Sequence, residues 1–260
     1  MAERFRDKIA LVTGSASGIG AAVVRMLVAE GAKVVGGDIG DAGQAALSAE
    51  LGASFVAMRA DVTREADVKT LVATAMERFG RLDLGFNVAG GARLSPLVEM
   101  DETDWDFTVD LCLKGVFLST KHEALAMEPG SAIVNIASLN ALVPAHGFSA
   151  YTSAKAGVEM FSRNAALELA SRGVRVNCIL PGLVETPATG AFTANQAILS
   201  SFMERIPVKR AARPEEIAAP CLFLASPEAS YVTGASLLVD GAWGTTGYPD
   251  LRTWLGDFKV

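Results

Sequence analysis

Ile9-Ala10-Leu11-Val12-Thr13-Gly14-Ser15-Ala16-Ser17-Gly18-Ile19-Gly20 is the stretch that decides the fold. An apolar run short enough for a buried strand meets a turn of small residues, and from Gly18 the pattern becomes helical. Glycines allow a tight turn and a close approach of backbone to pyrophosphate, and a helix N-terminus favours the anion. A Gly-x-x-x-Gly-x-Gly string alone is weak; its position between strand and helix gives Gly14, Gly18 and Gly20 weight as dinucleotide contacts. Asp38 ends the second apolar run, eighteen residues beyond Gly20. A carboxylate there accepts hydrogen bonds from ribose hydroxyls and repels a 2′-phosphate. No Arg or Lys lies between Gly14 and Gly20 to attract that phosphate. Both points favour NAD over NADP, although a turn or cap aspartate is the plainer role for Asp38.

Outward from this turn, short β-branched runs alternate with Ala/Leu/Glu-rich stretches. The runs are Ile9–Val12, Lys33–Gly37, Ser54–Arg59, Leu82–Asn87, Ala132–Ala137, Val174–Ile179 and Ser236–Val239. Helical patterns occupy 18–30, 41–51, 64–79, 101–127, 151–172 and 213–225. This alternation predicts βαβ units and a parallel sheet. The almost wholly apolar strands predict helices on both faces. The expectation is one α/β domain over 1–260, doubly wound and Rossmann-like, with seven parallel strands. Pro181 to about Pro207 reads as an irregular loop with one short helix, and a loop of that length is usually functional. The tail 244–260 carries Tyr248, Trp254, Leu255 and Phe258, which suggests packing on its own domain or on a neighbouring subunit.

The bulk composition narrows the classes. Of 260 residues, 50% are hydrophobic and 20% charged, which suits a single large core. No apolar run reaches the ~18 residues of a membrane span, so no membrane partner is expected. A net charge of −6 without a basic block argues against nucleic acid. The first strand begins so early that no signal peptide is expected. Cys112, Cys178 and Cys221 are too scattered for a disulfide framework or a zinc site, which points to the reducing cytoplasm. His122 and His146 are the only histidines, so no metal centre is expected.

Chemistry concentrates at Tyr151-Thr152-Ser153-Ala154-Lys155, with Ser138 thirteen residues before the tyrosine. Four residues make about one helical turn, which places phenol and ammonium on one face. A phenol with an ordinary pKa near ~10 accepts protons poorly at neutral pH. A cation alongside favours the phenolate and makes general acid–base work accessible. A serine hydroxyl from another segment would hold the oxygen of a carbonyl or alcohol. A surface Tyr and Lys on an amphipathic helix would show the same spacing, so the rest of the chain must decide.

Together these residues resemble the short-chain dehydrogenase/reductase family over essentially the whole chain. The resemblance rests on Thr13-Gly14-x3-Gly18-Ile19-Gly20, Asp61-Val62, Asn87-x-Ala89-Gly90, Ser138, Tyr151-x3-Lys155 and Pro181-Gly182-x-Val184-x-Thr186. Val232-Thr233-Gly234 and Val239-Asp240-Gly241 look like the family's last strand region. The resemblance implies that Ser17 and Ile19 bind the diphosphate and that Asp61 and Val62 sit against adenine. Asn87, Ala89 and Gly90 would line the adenosine side. Pro181, Gly182, Val184 and Thr186 would form the nicotinamide side, with Val184 and Thr186 holding the carboxamide. Tyr151 would transfer the proton, Lys155 would assist it and bind the nicotinamide ribose, and Ser138 would orient the substrate oxygen. Hydride would pass between substrate carbon and nicotinamide, with the protein supplying alignment.

Two departures stand out. The family's Asn-Asn-Ala-Gly reads Asn87-Val88-Ala89-Gly90, and Cys112 occupies the place of an asparagine that anchors a proton relay in the family. Cysteine keeps the backbone carbonyl and loses the amide; the simplest expectation for it is a small buried hydrophobe. Pocket walls are expected from Leu139, Asn140, His146 and Phe148, and from Leu183, Glu185, Phe192, Phe202 or Met203. Asn140, His146, Phe148, Leu183 and Phe192, with Ser138, form the substrate-binding set. Their mostly apolar character suggests a small hydrophobic secondary alcohol or ketone, with cyclic ones in range. A carrier-linked 3-oxoacyl reductase and a non-catalytic NAD-binding sensor or scaffold are the alternatives. The resemblance also implies a homotetramer formed through 101–127, 151–172 and the region of Ser236–Gly241.

Overall fold

The computed structural model describes residues 4–246; the apolar tail singled out above lies outside the described residues from 247 onward. Seven parallel strands form one sheet in the order β3-β2-β1-β4-β5-β6-β7. They are β1 Ile9–Thr13, β2 Lys33–Asp38, β3 Phe55–Arg59, β4 Leu84–Asn87, β5 Ala132–Ile136, β6 Arg175–Pro181 and β7 Ser236–Val239. Each matches a predicted run to within two residues at either end. The main helices are α1 Gly18–Ala29, α2 Asp41–Leu51, α3 Glu65–Phe79, α4 Glu102–Val109, α5 Gly115–Ala126, α6 Ser149–Leu169, α7 Gly190–Ala194, α8 Gln196–Arg205 and α9 Pro214–Ala225.

Successive strand residues point to opposite faces, and the two faces of β1 fill two separate cores. Ala10 and Val12 pack with Val23, Val24 and Leu27 of α1 and Ile217 and Leu222 of α9. Ile9 and Leu11 pack with Leu71 and Ala75 of α3, Ala124 of α5 and Ala165 of α6. Strands covered on both sides leave little room for polar residues, which explains their nearly continuous apolar runs.

The structure corrects two readings. The stretch 101–127 is not one regular helix: a π-helical turn at Asp110–Lys114 separates α4 from α5, with the Gly115 amide donating to Asp110 O. Cys112 lies within this turn and is fully buried. The region from Pro181 to Pro207 is more ordered than a loop. After a 3₁₀ turn at Pro187–Thr189 come α7 and the ten-residue α8. Asn195 caps α8 by accepting from the amides of Ala197 (3.0 Å) and Ile198 (3.2 Å).

A polar cluster lies inside the molecule between β4, β5, α5 and α6. Asn87 Nδ2 donates to Glu123 Oε2 at 3.0 Å and to Asn135 Oδ1 at 2.9 Å. Asn135 donates in turn to Ser162 Oγ at 2.9 Å. Glu123 is fully buried, its Oε1 has no partner, and burial pushes its carboxyl up to about 8 against the pull of the Asn87 bond. An unfolded Glu titrates near ~4.3. Between these values the unfolded chain releases a proton that the folded chain keeps, so this group's contribution to stability falls as pH rises and levels off above about 8. Glu123→Gln removes that slope. Thermal melts at pH 5, 6.5 and 8 check it: the variant gains on the wild type as pH rises, whereas parallel profiles would place an ionised Glu123 in the fold.

Candidate active site

The loops at the C-terminal ends of β1 to β6 converge where the strand order reverses between β1 and β4, the usual ligand crevice of such sheets. They enclose a cavity of about 360 Å³. Gly14, at φ +68°, makes the turn out of β1; a Cβ there would lie 2.7 Å from Ala89 N. The same junction is tied by Thr13 Oγ1, which accepts from the amides of Val88 (3.2 Å) and Ala89 (3.4 Å). Gly14, Ser17, Gly18, Ile19 and Gly20 all line the cavity, at the N-terminal end of α1.

Asp38 serves its own loop and also faces the cleft. Its Oδ2 accepts from Ala16 N at 2.9 Å and its Oδ1 from Gly40 N at 2.7 Å, so it braces the glycine turn and its own loop. It also lines the cavity, and each carboxylate oxygen keeps a further lone pair for a ribose hydroxyl. Asp61 is held similarly, its Oδ1 accepting from Thr63 N at 2.9 Å and Thr63 Oγ1 at 2.7 Å. Val62, Ala89 and Gly90 complete this end of the cleft. Asn87 does not: its amide is turned into the buried cluster described above, because β4 points that side chain at α5.

At the other end, Ser138, Tyr151 and Lys155 line the same cavity. Ser138 follows β5 and Tyr151 and Lys155 lie in the first two turns of α6. Lys155 is 97% buried, and its Nζ donates to Ile136 O at 2.8 Å and stands 5.7 Å from the centre of the Tyr151 ring. The side chain is enclosed and its ammonium lies between Ile136 O and the Tyr151 ring, so a surface amphipathic helix is not what this spacing encodes. Ser138 Oγ accepts from Asn140 N at 3.1 Å, which fixes the hydroxyl.

Gly90 sits between two polar groups: a Cβ there would lie 3.4 Å from Lys155 Nζ and 3.7 Å from Cys112 Sγ. The Cys112 thiol donates to Gly91 O at 3.0 Å. The cysteine is buried as expected, and the bond to the 90–91 backbone is an addition that the sequence did not signal. Pro181, Gly182, Val184 and Thr186 line the cavity beyond β6. Thr189, not anticipated, locks that loop, accepting from Thr186 N at 3.1 Å and donating to Val184 O.

The expected substrate residues other than Ser138 stand outside this cavity. Asn140 is spent on the local turn, donating to Val143 O at 2.8 Å, and His146 is exposed. Leu183 is buried against Ile206 and Ala211. Phe148 and Phe192 remain close to the chemistry through their rings: Phe148 packs edge-on against Tyr151 at 6.0 Å, and Phe192 lies 6.3 Å from Phe148. Among the described residues, no group of three or more His, Cys, Asp or Glu is placed to hold a metal ion, and no helix is long and apolar enough to cross a membrane.

A family model described as enoyl-(acyl carrier protein) reductase matches residues 14–244. Cis-4-hydroxycyclohexanecarboxylate dehydrogenase of Sinomonas cyclohexanicum is 40% identical, over 94% of this chain and 99% of its own. The 3-oxoacyl-(acyl-carrier-protein) reductase FabG of Thermotoga maritima is 37% identical, over 92% and 98%. The crystal structure of levodione reductase superposes with a TM-score of 0.88 at 33% identity, covering 93% of this chain and 99% of that one. The chain belongs to the short-chain dehydrogenase/reductase family and is an oxidoreductase that works with a nicotinamide cofactor.

The tight junction of β1 and β4 gives a direct test. Gly14→Ala adds a Cβ against Ala89 N in a backbone conformation that alanine resists. Calorimetric titration with NADH should show affinity reduced by ~10-fold or more, equivalent to ~1.4 kcal/mol. Wild-type affinity would mean that the turn does not shape the cleft.

Proposed function

We propose that this member of the family is an NAD-dependent dehydrogenase of small hydrophobic, ring-bearing secondary alcohols, with Tyr151 as general acid–base. The observation that carries the reading is the convergence of Ser138, Tyr151 and Lys155 on one wall of a cavity whose other end is a glycine turn and a carboxylate. The fit to a dinucleotide rests on shape: Gly14, Gly18 and Gly20 keep the floor of the cleft free of side chains, and Asp38 presents an acceptor where the adenosine ribose would lie. Ser17 and Ile19 would hold the diphosphate, Asp61, Val62, Ala89 and Gly90 the adenosine end, and Pro181, Gly182, Val184 and Thr186 the nicotinamide end. When bound, the cofactor supplies the hydride acceptor.

The chain's own residues do the rest. Ser138, with its Oγ held by the Asn140 amide, donates to the substrate oxygen and fixes the carbon it is attached to. Tyr151 takes the hydroxyl proton during oxidation and returns it during reduction. Lys155, held against Ile136 O, sets positive charge beside the phenol and favours its anionic form. The substrate class draws on the apolar rings beyond Tyr151 and on the likeness to a hydroxycyclohexanecarboxylate dehydrogenase.

The likeness to a carrier-protein reductase favours a second reading, a carrier-linked 3-oxoacyl reductase. Met127-Glu128-Pro129-Gly130 offers no basic residue to an acidic carrier, and Asp38 opposes NADPH, so it ranks below the first. We further infer a homotetramer, supported by exposed Phe117, Leu125, Met160 and Leu167 on α5 and α6. A cytoplasmic setting is supported by three buried, unpaired cysteines.

Tyr151→Phe should lower turnover by ~10²-fold or more with NADH affinity unchanged, the size expected for loss of a general acid–base; substantial residual turnover would reassign the proton. Asp38→Asn should lower the NAD-to-NADP ratio of kcat/KM by at least ~10-fold, as expected for loss of a charge-assisted hydrogen bond. An unchanged ratio would leave Asp38 as a brace alone.

A further inference from the structure

A continuous row of rings starts at Tyr151. It runs through Phe148 (6.0 Å) and Phe192 (6.3 Å) to Phe202 (6.1 Å), then meets Trp243 edge-on at 5.4 Å and an interplanar angle of 89°. None of the four rings beyond Tyr151 lines the cavity that holds the glycine turn. They pack one on the next outward from Tyr151 instead. Phe192 and Phe202 lie on α7 and α8, whereas Trp243 stands past β7.

The segment that presents Trp243 is built for that placement. Asp240 accepts from Ala242 N at 3.0 Å and from Gly244 N at 2.5 Å, folding residues 240–244 into a hook. Ala242 adopts φ +69°, a left-handed conformation that disfavours a side chain; such strain persists only where the surroundings impose it. The hook touches two parts of the site. A Cβ at Gly241 would lie 2.5 Å from Val208 Cγ2, just beyond α8, and one at Gly244 would lie 3.1 Å from Cδ1 of Leu139, the residue after Ser138. Trp243 itself packs on the apolar cluster of Leu183, Ile206 and Ala211, together with Phe202 and Met203.

We propose that Trp243 is a specificity-determining residue: it bounds the substrate site at its far end and seats α8, through Phe202, on the segment that carries Ser138. The specificity half rests on the reading of Tyr151 given above; the seating half does not. An apolar ring fits a wall of aromatic edges and faces, whereas a short open-chain alcohol reaches only the catalytic end of the row. Trp243 thus sets KM for bulky substrates and leaves the proton transfer at Tyr151 alone.

The test uses the full chain with Trp243→Ala and Trp243→Phe, cyclohexanol and isopropanol as probes, and saturating NAD. Trp243→Ala should raise KM for cyclohexanol by roughly 10-fold, the size of a lost apolar wall, with isopropanol kinetics and NADH affinity unchanged. Trp243→Phe keeps a ring against Phe202 and should restore the wild-type KM. Tryptic cleavage after Arg205, at the end of α8, should accelerate severalfold in the alanine variant only. Equal effects on both alcohols, or no effect on either, would overturn the specificity role, and an unchanged cleavage rate would overturn the seat. If the alanine variant does not fold, Phe202→Leu breaks the same ring contact from the other side under identical criteria. A wild-type protein inert towards both alcohols would count against the proposed reaction, while the cleavage experiment would still decide the seat.

Discussion

The close approach of β1 to the loop after β4 is the constraint on which the rest of the molecule depends. Gly14 turns so near Ala89 that no side chain fits between them, and Thr13 Oγ1 binds both amides of Val88 and Ala89 across the gap. The strand order reverses at this junction, so loops leaving in opposite directions open a crevice and a ligand can enter. Asp38 reaches the same turn from β2, and Gly90 leads from it to Lys155 and Cys112. Both ends of the cleft are therefore positioned from one point of contact.

The end of the cleft at Tyr151 and Lys155 meets a different physical demand. A buried ammonium is unfavourable unless it is hydrogen-bonded, and Lys155 meets that condition through Ile136 O at the end of β5. The strand that feeds Ser138 thus also holds the lysine that flanks Tyr151, and α6 fixes the spacing between phenol and ammonium. Beneath them the cluster of Asn87, Glu123, Asn135 and Ser162 fastens β4 and β5 to the helices behind. Burial pushes the Glu123 carboxyl up to about 8, and the Asn87 bond only partly opposes it.

Much of this was legible in the sequence, because the signals were local. Alternating runs of Val and Ile with helical stretches gave the sheet, and the turn from Gly14 to Gly20, Asp38 and the Tyr151–Lys155 spacing named residues that line one cavity. Orientation and register were not legible. Asn87 belongs to a motif that suggests the cleft, yet β4 turns its side chain toward α5, and period-two alternation does not say which face carries the ligand. The π turn at Asp110–Lys114 has no marker in composition, so Cys112 appeared only as a small buried residue and its bond to Gly91 O went unseen. The helix α8 was signalled by Asn195 ahead of Gln196-Ala197-Ile198-Leu199, a cap obscured by the surrounding proline and glycine. Trp243 could not be placed, since its partners Phe202 and Leu183 are brought to it only by the hook after β7.

The reaction proposed for this cleft is oxidation of a ring-bearing secondary alcohol with NAD. It is tested most directly by following the near-ultraviolet absorbance of reduced nicotinamide across cyclic, aromatic and open-chain secondary alcohols, with NAD and NADP in parallel. Steady NADH formation with cyclic alcohols and a clear preference for NAD are expected. Binding of NADH without turnover on any member of the panel would contradict the proposed reaction.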